Sequence, residues 1–257
     1  MFEVPKSKHR IIVALDVETA AEAREIIAEL RGEVGAFKIG LQLFTSAGAS
    51  FVRETVEARI KLFLDLKFHD IPNTVAKASI EVARLGVWMF NVHALGAGEM
   101  MRKTVENVRE TCAKENLSQP KIIGVTVLTS STEETLREVG IEKGTNEQVL
   151  NLAQLTAKCG LDGVVASPLE VNTIRHSINN EKFLIVTPGI RSQKSEVRSQ
   201  KSKTVRQIET YEDQKRVMTA AEAIAAGADY LVIGRPILQA ENRILAVRET
   251  LKEIESV

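Results

Sequence analysis

The densest group of charged side chains lies in the run Leu-Asp-Leu-Lys-Phe-His-Asp-Ile-Pro-Asn-Thr at residues 64–74. Because side chains alternate between the two faces of a strand, Asp65 and Lys67 share one face. Asp70 follows just beyond, and Pro72 is typical of the first turn of a helix. Carboxylates on both sides keep a lysine protonated, since they favour its charged form. The run therefore predicts a proton-donating lysine at the end of a strand.

Two earlier runs also end in charged residues on one face. Asp16 closes an apolar run at residues 11–16, and Lys38 lies on the inward face of the next run. Buried charges are costly unless they alternate in sign and pair. We expect Asp16 and Lys38 to meet Asp65 and Lys67 at one site, with Asp70 joining them.

The elements that must position these residues are eight short β-rich runs separated by segments of helical periodicity. The runs are 10–15, 36–39, 60–67, 87–93, 122–128, 163–166, 183–187 and 230–233. The helical segments are 17–30, 48–58, 74–85, 99–115, 146–159 and 219–226. Strand and helix alternating eight times predict an α/β fold, a (β/α)8 TIM barrel forming one domain over residues 1–257. A doubly wound open sheet is the structural alternative.

The place of the charged residues in such a barrel bears on their role. On the run 60–67, alternation directs Leu62 and Leu64 toward the outer helices and Phe63, Asp65 and Lys67 toward the barrel interior. The charges then lie at the carboxyl end, where barrel enzymes carry out their chemistry. This position favours catalysis over a structural ion-pair cluster at the rim.

A candidate phosphate site follows the last two strands. Gly234 and Arg235 come directly after the eighth run, and Arg191 follows the seventh. Barrels frequently bind phosphate in these loops, and guanidinium groups suit that anion. Beyond Arg191, the sequence Arg-Ser-Gln-Lys-Ser occurs twice, and we expect a basic, mobile lid loop over residues 191–213.

Composition excludes several classes of protein. The chain has 257 residues, with 34 Lys and Arg against 34 Asp and Glu, and its aromatic content is 4%. Such a neutral chain, poor in aromatic residues, is not typical of a nucleic-acid coating protein, and no apolar run is long enough to span a membrane. Cys112 and Cys159 are interpreted as reduced packing residues of a cytoplasmic protein. No spacing predicts a metal site or a bound cofactor, and His93 is interpreted as a rim residue rather than a catalytic one.

The run Asp65-x-Lys67-x-x-Asp70 continued by Ile-Pro-Asn-Thr74 resembles the signature of the orotidine 5′-phosphate decarboxylase family. Further motifs agree in order along the chain. They are Ala14-Leu-Asp16, Phe37-Lys-Ile-Gly40, Asn91-Val-His-Ala94, Val127-Leu-Thr-Ser130, Thr187-Pro-Gly-Ile-Arg191 and Ile233-Gly-Arg235. The resemblance implies a cofactor-independent carboxy-lyase that forms uridine 5′-phosphate and CO2 in the last step of de novo UMP synthesis.

The same resemblance implies residue roles. Lys67 would donate the proton within a network formed with Lys38, Asp65 and Asp70, and Asp16 and Lys38 would contact the ribose. Thr129 and Ser130 would lie near the pyrimidine.

The 5′-phosphate would be held by several residues in the last loops. They are Arg191, Gln214, Gly234 and Arg235, with Gln193, Gln200 and Gln207 as alternatives to Gln214. Asp70 and Thr74 would reach the neighbouring subunit's site, which implies a homodimer.

Two other functions remain open. A metal-dependent sugar-phosphate decarboxylase or synthase of the same superfamily shares the shorter motif Asp-x-Lys-x-x-Asp. A non-catalytic phosphate-binding barrel would lack one charge of the motif, whereas Asp65, Lys67 and Asp70 are all present.

Overall fold

The computed structural model describes residues 7–191 and 216–257. Its strands in chain order are β1 (Ile11–Ala14), β2 (Ala36–Gly40), β3 (Leu62–Phe68), β4 (Met89–His93), β5 (Lys121–Val125), β6 (Gly163–Val165), β7 (Leu184–Thr187), β8 (Ile190–Arg191), β9 (Met218–Thr219) and β10 (Tyr230–Ile233). All strands except β8 and β9 pair in parallel and close into a barrel of eight, in the order β1-β10-β7-β6-β5-β4-β3-β2. The predicted TIM barrel is confirmed.

Helices connect the strands and cover the outside of the barrel. They are α1 (Ala20–Leu30), α2 (Leu41–Glu57), α3 (Pro72–Arg84), α4 (Ala97–Glu115), α5 (Glu133–Glu138), α6 (Thr145–Lys158), α7 (Val171–Ser177), α8 (Ala220–Ala225), α9 (Arg235–Leu238) and α10 (Arg243–Glu255). None of the helices in the described ranges is both long and apolar enough to cross a membrane.

Strand alternation divides the apolar residues into two cores. One core fills the barrel interior and consists of Ile12, Ala14, Ala36, Phe63, Met89, Ile123, Val186 and Val232. The other lies between strands and helices and includes Val13, Phe37, Ile39, Leu62 and Leu64. The predicted inward and outward faces of the first three strands are therefore confirmed.

Several predicted boundaries are wrong, among them those of α2 and β5. Helix α2 begins at Leu41, directly after β2, instead of at residue 48. Gly48 has a φ of 70° and interrupts the helix. The helical periodicity is therefore broken at this residue, and the sequence does not predict one continuous helix. Strand β5 ends at Val125 instead of continuing to residue 128, and a turn follows in which Ser131 N–H donates to the Leu128 carbonyl at 2.9 Å.

The short strands β8 and β9 form a separate two-stranded parallel sheet. Arg191 pairs with Thr219 in this sheet. The two strands flank residues 192–215, so the chain on either side of that segment is joined by backbone pairing.

Candidate active site

The buried ammonium of Lys38 lies between two carboxylates at the carboxyl ends of the first three strands. Its Nζ is 3.1 Å from Asp16 Oδ1 and 3.3 Å from Asp65 Oδ2, and the residue is only 7% exposed. Burial alone would lower the pKa of Lys38, but the charges of Asp65 and Asp16 outweigh burial and hold that pKa above its usual value. Lys38 is therefore a permanent cation at neutral pH.

Asp65 links Lys38 to a second lysine. Asp65 Oδ1 lies 2.7 Å from Lys67 Nζ and also accepts a hydrogen bond of 2.7 Å from the Asn91 amide. Burial would raise the pKa of Asp65, but Lys38 and Lys67 together hold it below its usual value. The predicted convergence of Asp16, Lys38, Asp65 and Lys67 is therefore observed, and these four residues are called the mouth cluster below.

A glycine at the end of β2 leaves space for the mouth cluster. Gly40 pairs with Asp65 across the strands. A Cβ atom at this position would lie 3.0 Å from Lys38 Nζ. The cluster opens into a polar cavity of about 200 Å3, which is also lined by Leu41 and Gln42.

Asp70 and Thr74 lie apart from the mouth cluster within the single chain. Both are exposed at the start of α3, and Asp70 Oδ1 accepts a hydrogen bond of 2.6 Å from Ile71 N–H. Among the described residues Asp70 makes no ion pair with Lys38 or Lys67. The single chain thus assembles the network without Asp70.

The candidate phosphate residues end strands on the other side of β1. Gly234 and Arg235 follow β10, which pairs with β1 through Ile233 and Val13. A Cβ atom at Gly234 would lie 3.3 Å from Asp16 Oδ2, so the end of β10 closely approaches the mouth cluster. Arg235 is exposed, and Arg191 lies in β8.

Thr129 and Ser130 lie in the turn that follows β5, where Ser130 is exposed. This turn is tied to the next loop by a residue that the sequence reasoning did not identify. Arg216 donates to the Leu128 carbonyl at 2.8 Å and to Glu170 Oε1 at 2.6 Å. Burial raises the pKa of Glu170, and Arg216 opposes that shift only in part. No motif pointed to this pair, because its members are far apart along the chain.

Two histidines lie beside Lys67. His93 stacks on His69 with ring centroids 5.5 Å apart, and its Nδ1 accepts a hydrogen bond of 3.3 Å from Leu95 N–H. Burial lowers the pKa of His93 to about 4, with further contributions from His69 and Lys67. At neutral pH His93 is a neutral residue that holds the chain after β4.

Some predictions fall outside the described residues. Gln214 and its alternatives Gln193, Gln200 and Gln207 all belong to residues 192–215. The same holds for the predicted lid beyond Arg191.

The sequence matches the family model of the orotidine 5′-phosphate decarboxylase / HUMPS family over residues 9–250. An orotidine 5′-phosphate decarboxylase of Syntrophotalea carbinolica is 50% identical, with 97% of this chain and 96% of that protein covered. One from Geobacter sulfurreducens is 48% identical, with 97% of each chain covered.

A solved structure shares the fold. The crystal structure of orotidine 5′-phosphate decarboxylase from Lactobacillus acidophilus superposes with a TM-score of 0.79 at 33% identity. The match covers 95% of this chain and 98% of that one.

Proposed function

Since this chain belongs to the orotidine 5′-phosphate decarboxylase / HUMPS family, we propose that it converts orotidine 5′-phosphate to uridine 5′-phosphate and CO2. The observation that carries the proposal is the mouth cluster, in which Lys38, Asp65 and Lys67 alternate in sign with contacts of 3.3 and 2.7 Å. Such an array suits a reaction that develops negative charge on carbon.

The chemistry follows from where that charge develops. Cleavage of the bond between ring and carboxylate releases CO2 and leaves the electron pair on the ring carbon. The Lys67 ammonium stabilises this charge and then donates its proton to the same carbon, giving uridine 5′-phosphate. Solvent returns a proton to Lys67. Asp65 lies beside the substrate carboxylate, forms an ion pair with Lys67 and holds the pKa of Lys38 above its usual value.

Other residues bind the remaining parts of the substrate. Asp16 and Lys38 contact the ribose hydroxyls, and Thr129 and Ser130 lie near the pyrimidine. The phosphate is bound by Arg191, Gln214, Gly234 and Arg235. Binding this distant group supplies energy that orients the reacting ring. The reaction requires no cofactor, and it provides the last step of UMP synthesis in the cytoplasm.

We further propose that two copies of the chain form a homodimer in which Asp70 and Thr74 complete the partner's site. Exposure of both residues supports this arrangement, as does Ile71, an apolar residue that is 67% exposed between them. Mixing inactive Lys67→Ala and Asp70→Ala proteins should then restore about one quarter of the wild-type activity, because hybrid dimers contain one intact site. No recovery in hybrids would contradict the shared site.

An ultraviolet assay that follows loss of orotidine 5′-phosphate tests the proposed reaction. We expect turnover that is unchanged in EDTA. Turnover that EDTA abolishes would instead support a metal-dependent sugar-phosphate decarboxylase or synthase. Absence of turnover with every substrate, combined with phosphate binding, would support a non-catalytic barrel.

A further inference from the structure

Strand β3 is irregular where it carries the charged residues. Leu64 pairs with Phe90 on β4, whereas the next pair along the strands is Phe68 with Val92. The three β3 residues from Asp65 to Lys67 therefore lie opposite a single β4 residue, Asn91. Bulges of this kind redirect side chains and are frequent beside active sites.

The backbone of Lys67 is in an unfavourable conformation within this bulge. Its φ is 51°, in the left-handed region that side chains other than glycine seldom adopt. The surroundings must offset this cost, and strained backbone persists only where neighbouring groups hold it.

Asn91 contacts both ends of the irregular segment. Its Oδ1 accepts a hydrogen bond of 2.7 Å from the Lys67 backbone N–H, and its Nδ2 donates one of 2.7 Å to Asp65 Oδ1. The residue is only 1% exposed. One amide thus pairs with the Lys67 backbone N–H inside the bulge and with the Asp65 carboxylate at the start of the irregular segment.

We propose that Asn91 is a positioning residue that holds Lys67 in its left-handed conformation and aims its ammonium at the reacting carbon. The inference rests on the proposed decarboxylation. Asn91 touches no reacting atom in this account and acts through Lys67 and Asp65. A donor and an acceptor on one rigid side chain are both required, and among uncharged side chains only Asn and Gln offer that combination on a planar amide.

The first test replaces Asn91 by leucine, which has the same branched shape and the same number of side-chain heavy atoms but no hydrogen-bonding groups. We expect Asn91→Leu to lower kcat by about 100-fold, since misplacing a catalytic group by about 1 Å has an effect of that size. KM should change less than about threefold, because the substrate contacts remain. A kcat within about threefold of wild type would overturn the proposal.

Thr156→Val is the matched control for loss of a buried hydrogen bond. Thr156 is fully buried in α6, and its hydroxyl donates to the Leu152 carbonyl at 2.7 Å. This variant should lose stability but keep the wild-type kcat. An equal fall in kcat in both variants would show that the effect of Asn91 is merely structural.

Asn91→Asp provides a second test, the pH dependence of kcat, that does not depend on a change in side-chain volume. The new carboxylate still accepts from Lys67 N–H, but when ionised it repels Asp65, and only its protonated form can donate to Asp65. We expect the kcat deficit relative to wild type to grow as pH rises. The other residues of the mouth cluster and His93 are the same in both proteins, so the ratio of the two kcat values removes their contribution. A deficit independent of pH would contradict the proposal.

A crystal structure of Asn91→Leu separates this inference from the proposed function. We expect Lys67 to leave the positive-φ region and its ammonium to move away from Asp65. If wild-type protein fails to decarboxylate orotidine 5′-phosphate, the proposed function fails, and the structure alone then decides the role of Asn91. An unchanged Lys67 backbone would overturn it.

Discussion

Two groups of paired charges lie at the carboxyl ends of the strands, and their buried atoms differ in how completely they are hydrogen-bonded. In the mouth cluster both oxygens of Asp65 have partners, with Lys67 and Asn91 on one and Lys38 on the other. In the pair formed by Glu170 and Arg216, Glu170 Oε2 and Arg216 Nε have no hydrogen-bond partner among the described residues.

The difference points to different roles for the two groups. The mouth cluster alternates in sign and opens into a cavity, so its charges can act on a substrate. Arg216 instead donates hydrogen bonds to Glu170 and to the Leu128 carbonyl. The pair therefore joins the loops after β5 and β6. The first group should govern the chemical step, and the second should govern how the substrate is held.

Removing the proposed proton donor should have the largest effect. Lys67→Ala should lower kcat by at least about 10,000-fold, because both the stabilising charge and the proton are lost. The fold should remain, since Lys38 still neutralises Asp65. Steady-state kinetics measures kcat, and circular dichroism shows whether the variant is folded.

The matched control is Lys61→Ala, which removes an exposed lysine that lies 5.7 Å from the Trp88 ring centroid. This control should keep kcat within about twofold, as expected for a surface substitution. If both lysine variants lose activity equally, the proposed role of Lys67 in the chemical step is wrong.

Breaking the second group should have an intermediate effect of another kind. Arg216→Met leaves the Glu170 carboxylate buried without its cation and should reduce the free energy of unfolding by about 3 kcal/mol. KM should rise by about tenfold while kcat changes little, because the loop carrying Thr129 and Ser130 loses its anchor. Urea unfolding and steady-state kinetics check the two effects.

The double variant Glu170→Gln/Arg216→Met isolates the buried charge. It should regain most of the lost stability but retain the raised KM. A loss of kcat comparable to that of Lys67→Ala would contradict the division between the two groups.

The smallest predicted effect concerns His93, whose pKa falls from 6.5 to about 4 through burial and the nearby His69 and Lys67. Between these values the unfolded chain binds a proton that the folded protein excludes. Stability is therefore fully present above about pH 6.5 and is lost as pH falls toward 4. Allowing for partial solvent exposure, we expect this loss to be about 1–2 kcal/mol.

Urea unfolding at pH 7.5 and pH 4.5 measures the effect of His93. The acid-dependent loss should shrink in His93→Asn and persist in His176→Asn, which replaces an exposed histidine. Identical pH dependence in the three proteins would show that burial does not lower the pKa of His93 in the folded protein.

The sequence was sufficient to predict the barrel and the mouth cluster. Alternation along a strand placed Asp65 and Lys67 on one face, and parallel strands brought Asp16 and Lys38 to the same end. These inferences needed only the spacing of residues along each strand and the parallel arrangement of strands in a barrel.

Other features depend on contacts between segments that are far apart in the sequence, and local spacing does not predict these contacts. The bulge that sets the φ of Lys67 depends on the register between β3 and β4. The pairing of Glu170 with Arg216 joins residues 46 positions apart. The start of α2 was missed because Gly48 interrupts its periodicity.

Deuterium exchange in uridine 5′-phosphate tests the central claim most directly. An enzyme that protonates the ring carbon must also exchange the hydrogen on that carbon with solvent, by microscopic reversibility. In D2O at saturating ligand, wild type and Arg216→Met should incorporate deuterium at this carbon, whereas folded Lys67→Ala that still binds the nucleotide should incorporate none above background. Incorporation at the wild-type rate in Lys67→Ala would contradict the assignment of Lys67 as the proton donor.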